Sequence, residues 1–339
     1  MPRIVSYLPQ EQFVKSNIQI PPGWEISYAR EHGEDEIIES CRGADFLLVP
    51  AANPPITARI LRNIPSVCLV QGFGAGYDKI DLDAAREVNL PVANTPGQNA
   101  HTVAEFTVGL LVNLQRKILI SNREVKAGRY KEIERELIRT GLKEVRGTSI
   151  GLVGLGRIGR LVAALLSYMG AKVSYYDPFR AEQSVEAELG VVYLPFEELL
   201  KNNEVISLHL LLSKETRNLI SHRALSLMPP GSLLINTARG EIIDQAALAA
   251  ALENGHLGGA ALDHFFPDPP PPDHPLLNLS DGASDRLIVT SHLAGVTAGS
   301  FSRMLRLAMD NMQRVAAGEN PANVVNGITR ARLSPKGTE

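Results

Sequence analysis

Cysteine is nearly missing from this 339-residue sequence: only Cys41 and Cys68 occur. So few in so long a chain exclude a disulfide-stapled scaffold and point to a reducing compartment. Charge of one sign is also missing, since 34 lysines and arginines face 37 aspartates and glutamates. A net charge of −3 provides no basic face for nucleic acid or anionic lipid, so neither is expected as a partner. No apolar run reaches the roughly 20 residues that a bilayer-spanning helix needs. The start, "MPRIVSYLPQEQ", reads as a first strand and lacks the apolar core of a signal peptide. A soluble, cytoplasmic protein is the expectation.

What is there is ordinary globular composition, 44% hydrophobic and 21% charged, in a chain too long for one core. Two domains are expected. Short β-rich runs alternate with helical patterns from the first residues. Residues 3–8, 45–50, 67–72 and 90–95 read as strands, and 35–41, 57–63 and 81–88 as the helices between them. Such alternation implies parallel sheets with helices on their faces.

This block ends near residue 98, and a helix begins around Thr102. Val103, Phe106, Leu110, Leu111 and Leu114 share one of its faces. Residues 123–147 are charged with little core signal and read as a solvated arm or loop, with an oligomer contact as the alternative. A second alternating block follows, with strands at 149–153, 172–176, 204–208, 232–236, 258–262 and 286–290. An amphipathic helix (301–318) and a polar tail close the chain.

"GLVGLGRIGR" carries Gly154, Gly156 and Gly159 in G-x-G-x-x-G spacing. The spacing alone is weak evidence. Here it follows an apolar strand, opens a helix, and precedes Asp177 at the end of the next strand, about 20 residues on. Gly154 permits the turn, Gly156 lets a pyrophosphate approach, and Gly159 brings helix and strand together. The amides of Arg157 and Ile158 then face the phosphates. Asp177 can accept from a ribose diol and would repel a 2′-phosphate, although Arg180 nearby could attract one. NAD is the expected cofactor.

Three further strand ends carry polar groups: Thr237, Ala238 and Arg239 after one, Asp263 after the next, and His292 after the last. Singly each is unremarkable, and a lone histidine after a strand is more often structural. Together they are a coherent set. A guanidinium grips a carboxylate and polarises a neighbouring carbonyl. An imidazolium donates a proton, and an acid such as Asp268 orients the ring and raises its pKa. Asp268 lies in "DHFFPDPPPPDHP" (263–275), whose prolines resemble a linker but which places the acid five residues beyond Asp263 at the strand end. No metal site is expected.

At this point the chain resembles the NAD-dependent D-isomer-specific 2-hydroxyacid dehydrogenases, of the glyoxylate/hydroxypyruvate reductase kind. The resemblance spans "GFGAGYDKIDLDAA", "VANTPGQNAHTVAE", "GLVGLGRIGR", "SLHLLLSKETRNLI", "INTARGEIID", "GAALDHFFPD", "VTSHLAG" and "AAGENPANVVN". It implies an α/β fold with two doubly wound parallel-sheet domains. A flavodoxin-like substrate domain (1–100 and 296–339) would carry an inserted Rossmann NAD-binding domain (101–295), with the active site in the cleft.

By motif, Arg239 matches the substrate-binding, carbonyl-polarising arginine and His292 the proton donor. The amides of Ala75 and Gly76 match a carboxylate cradle. Arg157, Ile158, Asp177, Thr237, Ala238 and Asp263 match cofactor contacts, Asp263 at the nicotinamide amide, and His209 lies where the adenosine end is expected. Arg239 and His292 border the cofactor as well as the substrate. The helix from Thr102 and the arm after it resemble the family's homodimer elements.

Departures accompany the match. Asp268 stands for a glutamate and loses about 1.5 Å of reach, so its contact with His292 needs a closer loop or a bridging water. His264 replaces an aliphatic residue and reads as packed or solvent-facing. Ser291 and Leu211 replace prolines. The loop at 49–57 lacks the arginine of phosphoglycerate enzymes, which disfavours a phosphorylated substrate. The activity implied is hydride transfer between NAD(H) and a small 2-oxoacid or D-2-hydroxyacid. The alternative is an NAD(H)-responsive, corepressor-like binding protein with little turnover.

Overall fold

Apolar runs of four to six residues form most of the strands, and helix-bearing crossovers make every pairing between them parallel. A computed structural model describes residues 1–51, 53–330 and 332. Ala52, in the 49–57 loop, and Ala331 with residues 333–339 of the polar tail lie outside the described residues. The chain divides into two units: Met1–Asn99 with the segment from Val296 on, and Ala100–Gly295. Among the described residues no helix is long and apolar enough to cross a membrane.

The first unit holds β1 (Arg3–Ser6), β2 (Glu25–Tyr28), β3 (Phe46–Pro50), β4 (Leu69–Phe73) and β5 (Val92–Ala93). Their order, β2-β1-β3-β4-β5, is the flavodoxin-like doubly wound arrangement. Side chains alternate between two buried faces. Leu47 and Val49 join Val5, Val70 and Val92 on one, while Phe46 and Leu48 join Ile4, Leu69 and Ala93 on the other. The second face is covered by the helix Ala298–Ala316 through Met304, Leu305, Ala308, Met309 and Met312. Each buried valine, leucine, isoleucine, phenylalanine or methionine among them contributes about 1.5–3 kcal/mol. Buried Asn311 donates to Gln71 Oε1 at 2.7 Å, and Asn326 donates to the Leu90 carbonyl at 2.8 Å. These bonds close the unit from both ends of the sequence.

The second unit holds β6 (Ser149–Val153), β7 (Lys172–Tyr176), β8 (Val192–Tyr193), β9 (Val205–Leu208), β10 (Ser232–Asn236), β11 (Leu257–Leu262) and β12 (Leu287–Val289). The order β12-β11-β10-β9-β6-β7-β8 reverses winding direction between β6 and β9. Ligands in open parallel sheets bind beyond the strands' C-terminal ends at such a switch point. Here too both faces are covered, Ile206, Leu234 and Leu262 facing one core and Leu152, Tyr175 and Ile235 the other.

Three sequence expectations are corrected. Residues 123–147 are not a loop: the helices Ile118–Lys126 and Tyr130–Thr140 account for most of the arm, with Ile133 its one buried helical residue. Strands β2 and β8 were not foreseen. Neither has a fully buried residue, so neither shows the apolar run that marks the inner strands. Expected strands 67–72 and 90–95 are shorter or shifted, at Leu69–Phe73 and Val92–Ala93.

Candidate active site

The glycine loop is built by close approach. Gly154 has φ +101°, and a Cβ there would stand 2.5 Å from the His209 carbonyl. A Cβ on Gly159 would stand 2.2 Å from the Gly154 carbonyl, so any side chain would push the helix Arg157–Tyr168 off its strand. Gly156 is that helix's N-cap, supplies no side-chain cap, and has open space at its Cα. The first helical amides, with the positive end of the dipole, thus have room for a phosphate.

Asp177 follows β7 and ties this loop down, accepting from the Leu155 amide at 2.9 Å and the Phe179 amide at 3.0 Å. Four lone-pair sites on a carboxylate leave capacity for a ribose hydroxyl. Arg180, which could attract a 2′-phosphate, is engaged by a neighbouring acid. Its guanidinium bonds Glu186 through two nitrogens at 2.9 and 3.0 Å and lies over the Tyr193 ring. His209 follows β9 and is partly buried, with its ring turned inward. Burial pushes its pKa down to about 4, so the ring is neutral. Its Nε2 meets Ser207 Oγ at 2.9 Å, while Nδ1 has no partner among the described residues. An orphaned ring nitrogen against an open glycine loop fits an adenosine dinucleotide.

The turn after β10 carries Thr237, Ala238 and Arg239. Asn236 holds it from both sides, accepting from the Ala238 amide at 2.9 Å and donating to the Arg239 carbonyl at 2.7 Å. The Thr237 hydroxyl is buried, 3.0 Å from that of Thr107. Arg239 is half-buried, with one nitrogen 2.9 Å from the Ala238 carbonyl. A Cβ on the next residue, Gly240, would stand 2.3 Å from the Phe265 backbone, so this turn lies directly against the loop that bears Asp268.

Asp263, at the end of β11, is fully buried and its carboxylate is engaged within the protein. It accepts from the Thr290 hydroxyl at 2.5 Å and from the Leu293 and Ala294 amides at 2.8 Å each. Its carbonyl also accepts from the His292 amide at 2.9 Å. The residue expected at the nicotinamide therefore also fixes the loop on which His292 stands. His292 has φ +57°, in the left-handed region where a non-glycine residue is strained.

Asp268 does reach towards His292. Its Oδ2 stands 3.5 Å from Nδ1, closer than a lost methylene suggested but longer than a good hydrogen bond. The pair is partly open, with side chains 34% and 40% exposed. Burial and the Arg239 charge lower the His292 pKa below its ordinary value, and outweigh the upward pull of Asp263 and Asp268. The expected rise through the acid is present but does not dominate.

His264 is buried, not solvent-facing, and its ring centroid lies 3.8 Å from that of His292. The stretch 263–275 is an ordered loop. His274 is buried, packs edge-on against Phe265 at 5.4 Å, and approaches the Phe266 carbonyl at 3.2 Å.

In the other unit, Ala75 and Gly76 follow β4 and Gly74, whose φ is +124°. Thr95 accepts from the Gly74 amide at 2.8 Å, and Asn94 donates to the Ala75 carbonyl at 2.8 Å. The Ala75 and Gly76 amides donate to no group among the described residues.

Sequence reasoning missed Asn94, Thr95, Asn236 and Thr290 as residues that set these loops. Each directly follows a strand or sits within two residues of a site motif, which was the available signal.

Comparison with known proteins agrees with this geometry. A family model described as D-isomer specific 2-hydroxyacid dehydrogenase, NAD binding domain, matches residues 108–294. The chain is 37% identical to a glyoxylate reductase of Korarchaeum cryptofilum over 86% of its own length and 85% of that protein. It is 27% identical, with a TM-score of 0.83, to an NAD-dependent formate dehydrogenase from Staphylococcus aureus solved in complex with NAD. That match covers 96% of this chain and 99% of the other. The holo form of Rhodotorula graminis D-mandelate dehydrogenase gives the same TM-score at 25% identity, covering 98% and 99%. With its glycine loop, its strand-end acid and its seven-stranded parallel sheet, the chain belongs to the D-isomer-specific 2-hydroxyacid dehydrogenase family and is an NAD-dependent oxidoreductase.

Proposed function

We propose that this dehydrogenase interconverts a small 2-oxoacid, of the glyoxylate type, and the corresponding D-2-hydroxyacid. The observation that carries the reading is the group of His292, Asp268 and Arg239 at neighbouring strand ends of the NAD-binding unit. There the arginine's charge bears directly on the histidine. The pyrophosphate rests on the amides of Arg157 and Ile158 with Gly154, Gly156 and Gly159 giving it room, Asp177 takes the ribose diol, and His209 lines the adenosine end. Thr237, Ala238 and Asp263 border the nicotinamide end. Bound NAD(H) is the hydride donor or acceptor.

Arg239 grips the substrate carboxylate and draws electron density from the carbonyl. Because Nδ1 of His292 faces Asp268, Nε2 is the nitrogen that gives the proton to the forming alkoxide and takes it back in oxidation. An unphosphorylated substrate is favoured, since the first arginine beyond the 49–57 loop, Arg59, is held by Glu34 and Asp35. Exposed Ile118, Leu119, Val125 and Ile138 on the helical arm support a homodimer, and the two free cysteines a cytoplasmic setting.

The test is NADH oxidation with glyoxylate, hydroxypyruvate, pyruvate and a bulkier 2-oxoacid. Turnover with at least one is expected, and His292→Ala should lower it about 10²–10⁴-fold. NADH binding without turnover of any of them would leave a binding protein and refute the reading.

A further inference from the structure

We infer that His264, His292 and Asp268 form a site for a borderline divalent metal ion of the Zn²⁺ type, and that filling it withdraws His292 from proton transfer. Each of the three offers one ligand atom, and these atoms all lie within 4.8 Å of one another. Ligand bonds of about 2.0–2.1 Å in tetrahedral geometry place ligand atoms about 3.4 Å apart. The 3.5 Å between His292 Nδ1 and Asp268 Oδ2 already has that value. It is too long for a good hydrogen bond and right for two ligands of one ion. Closing the remaining gap takes ring rotation and a small shift of the exposed Asp268.

The surroundings favour an ion of this class. Two imidazoles and a carboxylate, with no thiolate among them, suit Zn²⁺ and its transition-metal neighbours better than Cu⁺ or the oxygen-seeking Mg²⁺ and Ca²⁺. Asp263 Oδ2 stands 3.8 Å from His264 Nε2, too far for a hydrogen bond but near enough for its negative charge to favour a cation beside the ring. Around the cluster, the carboxylates of Asp263 and Asp268 outnumber the guanidinium of Arg239. His264 is fixed at the end of β11 and 5% exposed, whereas His292 and Asp268 are open enough for an ion to enter. Ligation would occupy the ring that the proposed reaction uses. The effect on turnover rests on that reaction, but binding of the ion does not.

The test titrates the full-length protein with Zn²⁺ against a chromophoric chelator, comparing wild type with His264→Val and Asp268→Asn. Loss of an outer-shell partner typically weakens a metal site about 10–100-fold, so loss of a ligand should weaken this one at least as much. Both variants should show that loss at one ion per chain. The second variant, on an exposed loop, decides the matter if the first does not fold. Zinc affinity equal to wild type in a folded variant would overturn the site. In the turnover arm, Zn²⁺ should inhibit wild type reversibly on chelation and should inhibit His264→Val far less, each relative to its own metal-free rate. Equal inhibition of both would overturn the claim that this site silences His292. Ligand-dependent binding in a protein inert towards every 2-oxoacid would keep the site and sink the reaction.

Discussion

Replacing Asp268 with asparagine removes one negative charge 3.5 Å from Nδ1 of His292 while keeping a polar side chain of the same length. Coulomb's law at that separation gives about 1 kcal/mol in water and about 5 kcal/mol at an effective dielectric constant of 20. Side chains 34% and 40% exposed put the pair near the watery end of that range. A loss of about 1–2 kcal/mol is therefore expected, or about one pH unit in the histidine's pKa. The sign follows from the charge: without the carboxylate the imidazolium is less favoured and the pKa falls.

In the proposed reaction, reduction draws its proton from protonated His292, so its rate should decline as pH rises through that pKa. In Asp268→Asn the declining limb should move about one unit to lower pH. Oxidation requires the neutral ring, and its rising limb should move the same way. Burial and Arg239 already hold the free enzyme's His292 below its ordinary pKa. A substrate carboxylate on Arg239 offsets part of that push, so the kcat limb should lie at higher pH than the kcat/KM limb. Asp268→Glu should keep the wild-type limb. The assay is the pH–rate profile of 2-oxoacid reduction in all three proteins. An unchanged profile in Asp268→Asn, or a shift to higher pH, would refute the pairing.

Asp177→Ala should reduce NADH affinity more than NADPH affinity and erase an at least roughly tenfold preference for NADH, measured by fluorescence titration. A ratio unchanged by the substitution would remove Asp177 from cofactor selection. Thr290→Val deletes a hydroxyl donor to the buried Asp263 carboxylate and should cost about 1.5–3 kcal/mol of stability in denaturant unfolding. It should also lower kcat with little change in KM, because His292 loses its setting and the substrate grip does not. Restoration by Thr290→Ser is expected, and a KM effect alone would contradict a positioning role.

The inner strands were legible because burial on both faces leaves unbroken apolar runs such as "FLLV" in β3 and "LLI" in β10. The glycine loop was legible because its three glycines answer to backbone collisions that any Cβ would cause. The helical arm was not. Its helices bury almost nothing within the chain, so the apolar stripe that marks a helix was thin. In the site, the residues at the strand ends could be named from motifs, but the bonds that set them could not. Asp263 bonds residues 27, 30 and 31 positions away, and such long-range capping leaves no local pattern. The net lowering of the His292 pKa was equally out of reach, since it depends on burial and on Arg239, which lies far off in sequence.

The left-handed backbone at His292 has a consequence for how this protein could change over time. An L-residue there gives up roughly 1–2 kcal/mol that glycine would not. Selection for a higher melting temperature alone would accordingly reward discarding the histidine, and only selection for turnover would retain it. A library sorted for thermal survival without an activity screen should therefore accumulate glycine at position 292, yielding sturdier proteins that bind the dinucleotide and, on the proposed reaction, turn over far more slowly.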